Sequence, residues 1–111
     1  MKQYVVDQLR PADYEKLKGY MNNAYGENRM MEGVWFIPLD PEHENAVQRE
    51  HPQCSPFVFA VELTFEKLSC ELLIRTLNRV RCDCISYADD VQALVIIRFF
   101  DRILNELSIS V

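Results

Sequence analysis

The sequence predicts an α+β protein: an antiparallel sheet of four to five strands in the order β-α-β-(short α)-β-β-β-α, with helices on one face in two layers. Three observations carry this. Phe57, Phe59, Val61, Leu63 and Phe65 alternate with Glu62 and Thr64, the period of a half-buried strand. A second alternating segment, Leu68 to Leu77, begins after only Glu66-Lys67, so the two read as a hairpin that puts Cys70, Leu72 and Ile74 on the face of Phe59, Val61 and Leu63. Asp89-Asp90 then precedes Ala93, Ile96, Ile97, Phe100, Ile103, Leu104 and Leu107, the spacing of an amphipathic helix over roughly 90–107.

The remaining elements follow in order. Tyr4 to Leu9 suits a first strand. Arg10-Pro11-Ala12-Asp13 opens a helix, with proline where a missing N–H costs nothing and an acid where the helix dipole favours it. Tyr14, Leu17, Met21 and Ala24 give that helix its apolar stripe, and it fades at Tyr25-Gly26. Val34 to Leu39 is rich in strand formers, and Pro38 places it at an edge or strand end. Asp40-Pro41-Glu42 starts a short polar helix that ends before His51-Pro52 and reads as a surface lid. A last strand is expected from about Val80 to Tyr87, with Cys82 and Cys84 on one face and Arg81 and Asp83 on the other.

At 111 residues, with 49% hydrophobic and 26% charged residues, the chain reads as one domain, 1–111, with enough aromatic bulk to fill a core. No apolar run approaches the roughly 20 residues of a membrane span, and the N-terminus lacks the apolar core of a secretory signal, so a cytoplasmic protein is expected. The net charge is −5, with twelve Lys and Arg scattered among seventeen acids. That argues against nucleic acid, which wants a basic face. The α-β-β-β-α tail matches double-stranded-RNA-binding domains in topology alone, but such a domain needs basic residues where Asp89-Asp90 stand.

Four constellations bear on chemistry. Cys82 and Cys84, with Cys70 from the adjacent strand, are three thiols on one sheet face that would suit a soft metal. Buried cysteine also packs as a small hydrophobe, and packing is the favoured reading: no metal, no cofactor, reduced thiols, with Cys54 the accessible one. His51 and Cys54 are a possible Cys–His pair, whereas His43 and His51 stand about 12 Å apart along a helix and could not share an ion. Glu62 and Glu71 lie near Arg75 and Arg81 on the outer sheet face, a solvated charge lattice rather than an acid–base pair. There is no phosphate-cradling glycine loop, no HExxH and no nucleophile elbow.

The leading functional expectation is a non-enzymatic, self-associating interaction or adaptor protein, most simply a homodimer. It rests on surplus apolar residues: Leu94 and Val95 off the helix stripe, and Leu73, Ile85 and Tyr87 on the outer sheet face. The alternatives are a small metal-binding or thiol-redox protein using these cysteines, and a small-molecule or peptide binder under the segment 40–56.

Overall fold

The computed structural model describes residues 1–111. The chain runs β1 (Gln3–Val6), α1 (Pro11–Tyr25), β2 (Val34–Pro38), α2 (Ala46–Arg49), β3 (Phe57–Leu63), β4 (Leu68–Glu71), β5 (Leu73–Thr76), β6 (Ser86–Tyr87) and α3 (Asp90–Glu106). Single 3₁₀ turns lie at Pro41–His43 and Pro52–Cys54. The expected α+β class and antiparallel sheet are present, with six strands rather than four or five.

β3 is the middle of the sheet. The Glu66-Lys67 turn, closed by Thr64 N–H donating to the Lys67 carbonyl at 2.9 Å, returns the chain as β4. Val61 stands opposite Cys70, which in turn faces Tyr4 of β1; on the other edge Trp35 of β2 faces Val61. One row of side chains therefore crosses four strands on the core face. Pro38 ends β2 opposite Val58, the place a residue without an N–H tolerates.

The segment predicted as one strand over 68–77 breaks at Leu72. Val61 pairs with Cys70, but Val58 pairs with Arg75, so two extra residues bulge out of the ladder. An even insertion keeps every side chain on its own face, and Cys70 and Ile74 are both fully buried. Leu72 turns its backbone the other way: its N–H donates to the Lys2 carbonyl at 3.0 Å and its carbonyl accepts from Ala88 N–H at 2.7 Å. β1 and β6 thus sit end to end along the same edge, one beside β4 and one beside β5.

That arrangement corrects the strand expected over 80–87. With β1 beside β4, a returning strand has only β5 to pair with, and just Ser86–Tyr87 do so. Residues 77–85 form a loop, and Cys82 and Cys84 lie in it. The lid segment also differs from one continuous helix: a 3₁₀ turn capped by Asp40, then the single turn α2 capped by Asn45.

α3 lays Ile96, Phe99, Phe100, Ile103 and Leu104 on the sheet. Phe99 meets Phe59 edge-on at 5.7 Å between centroids, and Phe100 meets Tyr4 at 5.3 Å. Asp89 is its N-cap, as expected. α1 buries Leu17 and Met21, and Trp35 donates its indole N–H to Asn22 Oδ1 and the Gly26 carbonyl. At its start the buried Asp13 carboxylate accepts from the Arg10 backbone N–H and from Arg10 Nε, both at 3.1 Å. Those bonds hold its carboxyl below the ordinary 3.8. No helix is long and apolar enough to cross a membrane.

Candidate metal centre

The sulfurs of Cys54, Cys82 and Cys84 all lie within 4.8 Å of one another. Two loops deliver them. Cys54 ends the 3₁₀ turn Pro52–Cys54, whose last N–H bonds the His51 carbonyl at 2.9 Å. Cys82 and Cys84 flank Asp83 in a tight turn closed by Ile85 N–H on the Cys82 carbonyl at 3.0 Å. A turn, unlike an extended strand, lets an i,i+2 cysteine pair converge on one point.

Polar side chains stitch the two loops together. Thr76 Oγ1 donates to the Cys54 carbonyl. Asn78 Nδ2 donates to the Ser55 carbonyl at 2.9 Å and to that of Gln53 at 3.5 Å, while Asn78 N–H bonds Thr76 Oγ1. From the other side, the buried Gln48 amide reaches the Cys84 carbonyl at 3.5 Å. The sulfurs are therefore held by backbone anchored to the sheet end and to α2.

The three thiols are not equivalent. Cys54 and Cys84 are buried, and Cys82 is half-buried. The Cys84 backbone N–H and then its thiol bond the Cys82 sulfur, which holds Cys82 below the ordinary 9.0; the Cys54 thiol and the charge of His51 act the same way. Burial, with its hydrogen bonds to the neighbouring sulfurs, pushes Cys84 up to about 12. Cys82 is thus the sulfur best able to carry a negative charge, and the other two donate toward it.

His51 stands at the entrance to the Cys54 turn. Its Nδ1 lies 2.7 Å from the Val47 carbonyl. A carbonyl only accepts, so Nδ1 carries the proton and Nε2 keeps its lone pair. That bond, followed by the nearby charges of Cys82 and Asp83, raises its pKa above 6.5.

The other sequence candidates fall elsewhere. Cys70 is outside the cluster: it lies in the core on β4, and burial pushes it up to about 12. Its grouping with Cys82 and Cys84 assumed a third meander strand that does not form, and Cys54 takes its place. The accessible thiol is Cys82, not Cys54, because the Thr76 and Asn78 bonds draw the Cys54 turn down onto the sheet. Glu71 pairs with Arg75 at 2.9 Å, while Arg81 and Asp83 leave the sheet face for the loop. Of the apolar surplus, Leu94 and Tyr87 are exposed, and Leu73, Ile85 and Val95 are half-buried. The lid segment borders an open concavity of about 470 Å³ that includes His43, Phe59, Phe99, Arg98 and Arg102.

Sequence reasoning missed the Cys54–Cys82–Cys84 grouping and the two buried glutamines, Gln48 and Gln92. The available signal was the pair of spacings His51-x-x-Cys54 and Cys82-x-Cys84, both flanked by turn-forming Pro, Asn and Asp.

Comparison with protein-family models, curated proteins and solved structures gave no match. The fold and site therefore define the chain as a small α+β domain with a three-thiol cluster between two loops at one end of its sheet.

Proposed function

We propose that this protein binds one thiophilic metal ion through the thiolates of Cys54, Cys82 and Cys84. The supporting observation is the convergence of three sulfurs within 4.8 Å of one another from separate loops. In a tetrahedral site with metal–sulfur bonds of about 2.3 Å, neighbouring sulfurs stand roughly 3.8 Å apart, so closure asks for shifts of an ångström or less. Three thiols also fit a coordination shell better than a disulfide, which would join two and strand the third.

The ion's work is local. Of the 21 buried residues of the core, all but Cys54 and Cys84 lie outside the site, so the domain does not need metal to fold. What the ion adds is a cross-link between residues 51–56 and 77–85, setting the surface those loops present. A competition titration of reduced protein with zinc and a chromophoric chelator tests this. One equivalent should bind, and Cys54→Ser, Cys82→Ser or Cys84→Ser should each abolish or sharply weaken it. Cys70→Ser should bind as wild type. Equal binding by all four variants would defeat the proposal.

Self-association is a second reading, favoured by the apolar Leu73, Val80 and Ile85 around Cys82, with Val80 91% exposed. A pair of chains joined there would bury the mouth of the thiol site. Light scattering at micromolar concentration should then give twice the 13.0 kDa chain mass. A mass of one chain, with and without zinc, removes this reading.

A further inference from the structure

Resting on the three-thiolate reading above, we propose that His51 supplies the fourth ligand through Nε2, making a closed Cys₃His site that selects zinc over copper(I).

Zinc in structural sites takes four ligands in a tetrahedron, and Cys₃His is one of its standard sets. The chain holds three of the four in a fixed cluster, leaving one corner for a neighbour. His51 is three residues before Cys54, and the Cys54 N–H to His51 carbonyl bond closes the turn that carries both. Its ring already has the outer-shell bond of a metal-ligating histidine: Nδ1 donates to the Val47 carbonyl at 2.7 Å. That donor fixes the tautomer and leaves Nε2 free to coordinate. The ring stands outside the group of three sulfurs, so coordination requires it to turn toward them.

The nearest rival is the Asp83 carboxylate, placed between Cys82 and Cys84 and exposed. It has no partner that would orient it, whereas His51 does. A fourth ligand also decides the metal. Copper(I) is satisfied by three thiolates, while zinc gains from the imidazole. All four positions filled by protein leave no open site for a substrate, so the ion is structural rather than catalytic.

Cobalt(II) is the probe, since its thiolate charge-transfer band and its ligand-field bands report sulfur and the fourth ligand separately. Reduced wild-type protein with one equivalent of cobalt(II) should show both, with ligand-field bands of tetrahedral intensity. His51→Ala and His51→Asn should keep the charge-transfer band, shift the ligand-field bands, and bind zinc at least about tenfold more weakly, the loss typical of disturbing even an outer-shell partner. Copper(I) affinity should stay within twofold, and far-ultraviolet circular dichroism should be unchanged because His51, half-buried, is not part of the core. Asp83→Asn should behave as wild type. Unaltered ligand-field bands and zinc affinity in both His51 variants would overturn the proposal, as would a spectral shift in Asp83→Asn instead. A wild-type complex with no thiolate band at all would bring down the three-thiolate reading itself.

Discussion

Gln92 donates its side-chain amide to Gln48 Oε1 at 2.9 Å, joining the N-termini of α3 and α2 through two fully buried side chains. Each glutamine also closes its own capping box, with Asp89 for Gln92 and Asn45 for Gln48. The spare amide hydrogens reach the His43 and Cys84 carbonyls. One polar network thus ties the last helix, the lid segment and the thiol loop together. Buried glutamine is tolerable only because its donors and acceptors are used.

Removing that network should be expensive even when the space is refilled. Gln92→Met preserves volume but leaves the His43 carbonyl and the Asp89 N–H without their buried partners. A fully buried orphan costs about 1–3 kcal/mol and these two are part-buried, so urea unfolding should show a loss of about 1–2 kcal/mol. A Gln92→Met protein as stable as wild type would show that the network contributes nothing net.

Gly33 should tolerate alanine less well than Gly26 does. Both have positive φ, 79° and 81°, so both substitutions incur backbone strain of about 1–3 kcal/mol. Only at Gly33 would the new Cβ meet an obstacle, the Leu63 carbonyl oxygen at 2.9 Å. Leu63 N–H also bonds the Gly33 carbonyl at 2.8 Å, so the alanine would push apart the start of β2 and the end of β3. Thermal unfolding of the two variants side by side reads the difference, and equal losses would mean that the collision relaxes freely.

Asp13 should matter less as the solution becomes acid. Its carboxyl is held below the ordinary 3.8 by the Arg10 side chain and backbone. A depressed carboxylate contributes stability that is complete above its unfolded value and lost as pH falls through the folded one. The stability gap between wild type and Asp13→Asn should be constant near neutrality and narrow below pH 3.8. A gap that widens on acidification would contradict the bonding seen at α1.

Much of this fold was legible because its strongest signals are local. The alternation from Phe57 to Leu63, the Glu66-Lys67 turn and the Asp89 cap all act over a few residues. The thiol cluster was not legible, for a long-range reason. Cys82 and Cys84 read as alternating strand residues, and nothing nearby reveals that β1, more than sixty positions earlier, already lies against β4. Without that partner the segment has no ladder and turns instead, which carries the two sulfurs to Cys54 and away from Cys70. Nothing in the local pattern marks Gln48 and Gln92 as buried, and Phe99 lies outside the predicted stripe. Their burial depends on partners far away in sequence, which periodicity cannot see.

Asn78 should tune the metal without touching it. Its amide holds the Ser55 and Gln53 carbonyls beside Cys54. Asn78→Ala should lower zinc affinity by about 10–100-fold, as loss of an outer-shell partner does, with stoichiometry still one. Isothermal titration of both proteins reads this, and an unchanged affinity would mean that the loop keeps its shape unaided.

The most direct test of the central claim is X-ray absorption at the zinc K-edge on protein loaded with one equivalent of zinc. The account predicts three sulfurs at about 2.3 Å and one nitrogen at about 2.0–2.1 Å from the metal. A shell of oxygen and nitrogen alone, with no sulfur scattering, would contradict it.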